Sequence, residues 1–143
     1  MNMNDIKQSN IDPKGLSPVS LAFVGDGVFE LMVRERLVRG GGMPAGKLHL
    51  MAARRVKGAA QASAYNAVDA ACSEEERRIL KRGRNVSLSR LPNSCTSEEY
   101  HKATAIEALI GYLYLKGETK RLEEIFEIID AQIMSREDAP YND

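Results

Sequence analysis

Hydrophobic positions along this chain recur with the spacing of helices rather than that of strands. No segment longer than four residues alternates in polarity, whereas apolar residues three and four apart occur throughout. A first helix is predicted from Ser17-Pro18, a capping hydroxyl followed by a proline in the first turn, to the glycines at 40–42. The pattern then predicts a second helix from about Pro44 to Val68.

Three further helices are predicted from capping signals and periodicity. The first of these helices has a capping box of Ser73 with Glu76 and ends at Gly83. The second has a capping box of Thr96 with Glu99 and ends at Gly117. The last helix has the clearest apolar stripe, which comprises Leu122, Ile125, Phe126, Ile129 and Ile133. The fold class expected is all-α. We expect one domain over residues 1–143, with 1–15 and 135–143 as flexible tails.

Composition narrows the class of protein without identifying it. With 143 residues, 43% of them hydrophobic, the chain is long enough to bury a core without disulfides or structural metals. No apolar stretch reaches the ~20 residues that span a bilayer, and the polar N-terminus has no signal-peptide core. Cys72 and Cys95 lack any metal or disulfide motif and are expected to be reduced thiols. These features predict a soluble cytoplasmic protein with no membrane partner.

Two carboxylates lie among apolar residues, where acidic side chains are unusual. Asp26 stands in LAFVGDGVFEL, with Ala22, Phe23 and Phe29 one helical turn away, so its face is expected to be apolar and the charge buried. Glycines flank it on both sides, each costing about 1 kcal/mol in a helix. That cost indicates that another backbone approaches closely here. Glu107 lies in ATAIEALIGYLYL, the most hydrophobic stretch of the chain.

If the two predicted helices cross, one site holds both carboxylates. Acidic groups close together repel each other, raise a pKa or share a cation, and oxygen ligands completed by water suit Mg²⁺ or Mn²⁺. The alternative is that each carboxylate pairs with a distant arginine in a structural network. His49 and His101 have no partner at metal-ligand spacing and are expected at the surface.

Basic residues accumulate between positions 77 and 90, a segment without acidic residues. These cations are Arg77, Arg78, Lys81, Arg82, Arg84 and Arg90. Such a segment can contact phosphates, or it can be a solvated helix end that complements the helix dipole. A smaller basic cluster at 54–57 allows the same two interpretations. No aromatic residue interleaves with the cations, which favours a duplex backbone over stacked bases.

The segments around both carboxylates resemble the endonuclease domain of the ribonuclease III family. LAFVGDGVFELMVRERL is similar to its signature helix, in which a Gly-Asp pair precedes a hydrophobic helix, and ATAIEALIGYLYL is similar to its second catalytic helix. LKRGRN at 80–85, in a chain too short for an added double-stranded-RNA-binding domain, resembles the small bacterial Mini-ribonuclease III branch. The resemblance covers residues from about 16 to 130 and implies the helical fold of that endonuclease domain.

This resemblance implies that the two carboxylates are catalytic and bind metal. It identifies Asp26 with the catalytic aspartate of the family and Glu107 with its metal-binding glutamate, with Mg²⁺ as cofactor and Mn²⁺ as a possible substitute. Full-length relatives have further acidic residues where Val19, Ala22 and Thr104 stand here. The number of metal ions bound by each site is therefore open.

The resemblance also implies partners and a substrate. Family members cleave double-stranded RNA as two-fold dimers with their signature helices at the interface, a contact that the apolar face around Phe23 would serve. The residues expected to contact RNA are Lys81, Arg82, Arg84, Asn85 and Lys102. Of these, Lys102 is also a candidate for neutralising the scissile phosphate. The Mini-ribonuclease III branch is associated with large-subunit ribosomal RNA precursors, which implies a role in ribosomal RNA maturation.

Two other functions are compatible with the sequence. One is a non-catalytic double-stranded-RNA-binding or ribosome-associated module on the same fold, and the presence of Asp26 and Glu107 argues against it. The other is a purely structural helical dimer in which both carboxylates are ion-paired. The acid-free basic segment argues against that second function. Metal-dependent cleavage and salt-sensitive RNA binding distinguish the three.

Overall fold

A computed structural model describes residues 11–87 and 96–137 of the chain, and within these ranges the fold is all-α, as predicted. A short 3₁₀ turn, Pro13–Gly15, precedes seven helices in the described ranges. The helices are α1 (Pro18–Arg39), α2 (Ala45–Val56), α3 (Gly58–Ala62), α4 (Tyr65–Ala71), α5 (Glu74–Arg84), α6 (Ser97–Lys116) and α7 (Thr119–Glu137).

The predicted capping signals form as expected because each depends on a few neighbouring residues. The Ser17 hydroxyl accepts a hydrogen bond from the backbone N–H of Ser20 at 3.1 Å and opens α1. Both hydrogen bonds of each capping box are present at the starts of α5 and α6. Gly117 ends α6 in the left-handed conformation, with φ of 80°.

The single helix predicted from Pro44 to Val68 is wrong, since the structure has three shorter helices there. Lys57 is extended, with ψ of 144°, and the chain turns again at Ser63. These two breaks redirect the chain so that α3 packs on α6 and α4 packs on both α6 and α7. Burial of Ala60, Tyr65 and Val68 in the core therefore outweighs the uninterrupted helical pattern.

Gly83 does not end its helix as predicted. Helix α5 continues to Arg84, and Gly83 is buried against α6. A Cβ at this position would lie 2.8 Å from the Cα of Ala105 and 3.1 Å from the Cβ of Ala108. The glycine therefore allows close packing of α5 on α6 rather than a change of chain direction.

Helix α6 is the central element, in contact with α1, α3, α4, α5 and α7. Its side chains are buried almost continuously from Ala103 to Leu113. All five residues of the predicted stripe on α7 are buried, which confirms that interpretation. No helix among the described residues is both long and apolar enough to cross a membrane.

The two predicted tails overlap the described residues only in part. Residues 13–15 form the 3₁₀ turn, whose Lys14 pairs with Glu75 at 3.1 Å, and residues 135–137 continue α7. Residues 1–10 and 138–143 of the predicted tails lie outside the described residues. Cys72 has a free, half-buried thiol whose pKa is raised to about 11, mainly by burial. Cys95 is outside the described ranges.

Candidate active site

The two singled-out carboxylates meet where α1 crosses α6. A Cβ at Gly25 would lie 1.7 Å from the carbonyl oxygen of Glu107, and a Cβ at Gly111 would lie 2.0 Å from the carbonyl oxygen of Leu21. Glycine at both positions therefore allows the two backbones to touch. This contact brings Asp26, adjacent to Gly25 in sequence, beside Glu107.

The backbone approach predicted from the paired glycines occurs at only one of them. It is confirmed at Gly25, but a Cβ at Gly27 would meet nothing within 4 Å, so the prediction is wrong there. The partner glycine, Gly111, was not predicted from the sequence. Its position one turn after Glu107, within an otherwise apolar run, was the available signal.

Asp26 is exposed rather than buried as its apolar neighbours suggested. The reason is that part of this apolar face is itself exposed: Val19 is 59% exposed and Phe23 is 83% exposed. Phe29 and Val33, one and two turns after Asp26 along the same face of α1, are buried in the core. The Asp26 carboxylate therefore lies at an open surface bordered by apolar side chains.

Glu107 is half-buried, and its surroundings oppose its ionisation. Burial, followed by the charge and hydrogen bonding of Asp26, raises the pKa of Glu107 to about 8. Within residues 11–87 and 96–137, neither carboxylate forms an ion pair with a lysine or arginine. Pairing with a distant arginine is therefore not observed in the part of the chain described.

The pair fits a divalent cation by its chemistry. Up to about pH 8 Glu107 keeps a proton, which removes the repulsion between two adjacent negative carboxylates. A bound cation would remove the same repulsion. Both groups are oxygen donors of the kind that Mg²⁺ and Mn²⁺ prefer. Among the described residues no cluster of three or more acidic, histidine or cysteine side chains could hold a metal. The protein would thus supply two ligands, and water and substrate phosphates the rest.

Nearby polar residues do not extend this ligand set. Thr104, one turn before Glu107, is buried and donates its hydroxyl to the carbonyl oxygen of Tyr100 at 2.9 Å. His49 is exposed as predicted. The His101 side chain is half-buried, and its Nδ1 is fully buried with no hydrogen-bond partner among residues 11–87 and 96–137, so the prediction of a surface residue is wrong for that atom.

We expect the raised pKa of Glu107 to make the folded protein less stable as pH increases. The folded state holds this proton more tightly than the unfolded state, so the contribution to stability is complete below about pH 4.5 and is lost as pH rises through about 8. Urea denaturation of the wild type should show a larger decrease in unfolding free energy from about pH 5 to about pH 9 than that of Glu107→Gln. Identical pH dependence of the two proteins would contradict the raised pKa.

The structure assigns different environments to the cations of the basic segment. Arg77 is bound to Asp69, with its Nε 3.1 Å from a carboxylate oxygen, and it donates a second hydrogen bond to the Asp69 carbonyl at 2.9 Å. That arginine therefore stabilises the α4–α5 junction. Lys81, Arg82 and Asn85 are exposed. Arg90 lies outside the described residues.

Two of the predicted RNA contacts, Arg84 and Lys102, meet at a tyrosine that the sequence analysis missed. The Arg84 guanidinium carbon lies 4.8 Å from the centroid of the Tyr65 ring, and Lys102 Nζ lies 5.9 Å from it. Lys102 Nζ is also 3.0 Å from the Glu98 carboxylate. Its described contacts are thus with these residues rather than with Asp26 or Glu107. No local spacing connects Tyr65 to the basic segment, so no sequence signal was available.

The smaller basic cluster at 54–57 is not a continuous surface. Arg55 is buried, with its guanidinium 3.8 Å from the Asp130 carboxylate and within 3.0 Å of the Met134 sulfur. The interpretation of this cluster as a phosphate-contacting surface is therefore wrong for Arg55. The residue joins α2 to α7 instead.

Comparison with known proteins identifies similar chains that span both helices carrying the carboxylates. Residues 19–118 match the Ribonuclease III domain family. Mini-ribonuclease 3 of Thermoanaerobacter sp. (strain X514) is 42% identical over 113 residues, 79% of this chain and 80% of that protein. Mini-ribonuclease 3 of Symbiobacterium thermophilum is 40% identical over 81% of this chain and 89% of that protein. A Fusobacterium nucleatum protein of known crystal structure matches with a TM-score of 0.76 and 32% identity, over 84% of this chain and 96% of that one.

Proposed function

We propose that this chain cleaves double-stranded RNA with a divalent metal ion held by Asp26 and Glu107. The chain belongs to the Mini-ribonuclease 3 branch of the ribonuclease III family and is an endoribonuclease. Mg²⁺ is the proposed cofactor, with Mn²⁺ as a substitute. The observation that carries this proposal is the contact of two carboxylates, one exposed and one half-buried, with no described cation between them.

The roles of the two carboxylates follow from their environments. Asp26, being exposed, would ligate the metal from the solvent side, where RNA approaches, and Glu107 would ligate it from the half-buried side. Glu107 would release its proton when the cation binds, so metal binding is expected to depend on pH. The ion would supply Lewis-acid chemistry for attack of water on phosphorus and departure of the 3′ oxygen, so the products would carry a 5′-phosphate and a 3′-hydroxyl.

The basic end of α5 is proposed to contact the RNA backbone beside this site. Gly83 packs against Ala105 and Ala108 of α6, which lie in the same helical turn as Glu107. The residues proposed to contact RNA here are the exposed cations Lys81, Arg82 and Arg84, the exposed Asn85 at the helix end, and the half-buried Lys102 on α6. Such contacts supply affinity without reading sequence.

A second copy of the chain is proposed to cover the apolar face of α1. Phe23 and Val19 are 83% and 59% exposed and lie one and two turns from Asp26. Burying such side chains in a two-fold dimer would remove apolar surface from water. It would also place two carboxylate pairs near one duplex, one for each strand.

Phe23→Arg is expected to convert the dimer into a monomer because it places a charge in the proposed apolar interface. Sedimentation velocity at matched concentrations gives the comparison. Leu50→Arg, on an exposed apolar residue of α2, serves as the control and should remain dimeric. A wild type that sediments as a monomer at all concentrations would contradict the proposed dimer.

The proposed substrate is a large-subunit ribosomal RNA precursor, and cleavage assays test both activity and substrate. A long duplex RNA, its separate strands and a precursor transcript are each incubated with the protein in Mg²⁺ and in EDTA. We expect cleavage of the duplex and the precursor in Mg²⁺ only, with the precursor cut at discrete positions. Equal cleavage of single strands would contradict the duplex preference. Binding without cleavage in Mg²⁺ would favour the non-catalytic RNA-binding module, and no RNA binding would favour the structural helical dimer.

A further inference from the structure

We propose that Tyr65 is a positioning residue that holds Arg84 and Lys102 together as one binding site for a backbone phosphate of double-stranded RNA. The inference rests on the proposed function, because it assigns a place within that substrate complex. It goes further by identifying a residue outside the carboxylate pair and outside the basic segment. Tyr65 would act through the two cations rather than by touching the reacting atoms.

Three helices contribute to this site. Tyr65 begins α4, Arg84 ends α5 and Lys102 lies in the second turn of α6. Both cations lie within 6 Å of the centroid of one ring, at 4.8 Å for Arg84 and 5.9 Å for Lys102. The pKa of Arg84 is raised, chiefly by hydrogen bonding with the Tyr65 side chain, so the guanidinium stays charged beside the ring. The tyrosine is therefore the shared contact of two residues 18 positions apart in sequence.

The charges at this site do not balance. Arg84 forms no ion pair within the described part of the chain, and Lys102 pairs with Glu98, a carboxylate that is 70% exposed. Two neighbouring cations repel each other, and contacts with one tyrosine ring offset only part of that repulsion. An anion bound between Arg84 and Lys102 would remove the repulsion. Glu98 is the internal group that this anion would displace from Lys102.

The chemistry of the site favours a phosphate over a nucleobase. Tyr65 is only 5% exposed, so its ring is not available to stack on an unpaired base. The Arg84 guanidinium presents a planar set of N–H donors that matches two phosphate oxygens, and Lys102 adds a point charge. The two non-bridging oxygens of one backbone phosphate therefore satisfy both cations at once.

The Tyr65 site is separated from the carboxylate pair both along α6 and around it. Lys102 precedes Glu107 by five residues, which is about 7.5 Å along the helix axis at 1.5 Å per residue and about 140° around the axis at 3.6 residues per turn. The phosphate held at Tyr65 would thus be a different phosphate of the duplex from the one cleaved at Asp26 and Glu107.

Salt-dependent binding of a short RNA duplex in EDTA, where cleavage is absent, tests the proposal. Tyr65→Leu is expected to weaken binding about 10-fold and to reduce the magnitude of the slope of log K against log salt by about 1, as loss of one phosphate contact does. Adding Tyr65→Leu to the combined Arg84→Gln and Lys102→Gln variant should weaken RNA binding little further, because all three changes remove the same phosphate contact. Tyr65→Phe, which keeps the ring, should show a smaller loss than Tyr65→Leu.

Tyr112→Leu is the matched control for lost packing. Tyr112 is 1% exposed and has Lys116 5.5 Å from its ring centroid, but that lysine is paired with Glu75 at 3.2 Å. We expect this variant to lose stability without a change in the salt slope. Glu98→Gln, at an exposed position, should tighten RNA binding about 3-fold because it releases Lys102.

The outcomes separate this inference from the function on which it rests. An unchanged affinity and salt slope in folded Tyr65→Leu, with normal binding by the wild type, would overturn the role of Tyr65 and leave the proposed function intact. If Tyr65→Leu does not fold, unchanged binding by both Tyr65→Phe and Glu98→Gln would overturn it equally. Absence of salt-dependent RNA binding by the wild type would overturn the proposed function itself.

Discussion

Replacing Asp26 by asparagine is expected to lower the rate constant for duplex RNA cleavage by about 10³-fold or more, with little change in duplex binding in EDTA. The asparagine keeps the size and exposure of the side chain but removes the negative charge that would hold the metal. Glu107→Gln is expected to have a similar effect. The double variant should be little slower than either single variant, because the two carboxylates act as one unit.

The control for this result is Glu35→Gln. Glu35 is an exposed carboxylate on the same helix, nine residues beyond Asp26, and it pairs with Arg39 at 2.8 Å. Nine residues correspond to half a turn more than two full turns, so Glu35 faces away from the site. Single-turnover rates measured for the three proteins in Mg²⁺ give the comparison. Cleavage by Asp26→Asn at the rate of Glu35→Gln would rule out a catalytic role for Asp26.

The second large effect is on folding rather than on catalysis. Gly25→Ala should destabilise the protein by at least about 3 kcal/mol, because the new methyl group would meet the backbone of Glu107 and no rotamer change relieves that overlap. A loss of this size is a large part of the stability of a typical domain. Gly111→Ala should behave in the same way, since its Cβ would meet the backbone of Leu21.

Gly27→Ala provides a matched control two residues away. A Cβ there would meet nothing within 4 Å, and Gly27 does not have a positive φ. We therefore expect Gly27→Ala to stabilise α1 by about 0.5–1 kcal/mol through helix propensity. Chemical denaturation of the three alanine variants measures the difference. Equal stabilities for Gly25→Ala and Gly27→Ala would show that the helices do not cross at Gly25.

Features of the fold that depend on nearby residues could be predicted from the sequence. The helix starts at Ser17, Ser73 and Thr96 form because a hydroxyl bonds a backbone N–H three residues later. Features that depend on distant neighbours could not be predicted in this way. The break at Lys57 and the burial of Gly83 are both determined by packing on α6.

In the candidate site, too, some features could be predicted from local sequence and others depend on distant packing. Asp26 and Glu107 could be identified because an acidic side chain in an apolar segment is unfavourable unless it is paired or binds a cation. Their contact depends on the crossing of α1 and α6, which Gly25 alone only suggested. The exposure of Asp26 was not predictable, because it depends on which apolar residues of α1 the rest of the chain leaves uncovered. Tyr65 was not predictable either, since only the folded chain brings it to Arg84.

Mn²⁺ titration of the ¹⁵N-labelled protein without RNA shows whether Asp26 and Glu107 together hold a cation. Paramagnetic broadening of amide signals detects even a weakly held ion, as expected for two protein ligands. We predict that signals from the turns around Asp26 and Glu107 broaden first, and that Asp26→Asn removes this effect. Broadening that persists in Asp26→Asn, or that centres on another acidic surface such as Glu123 and Glu124, would show that the cation is held elsewhere.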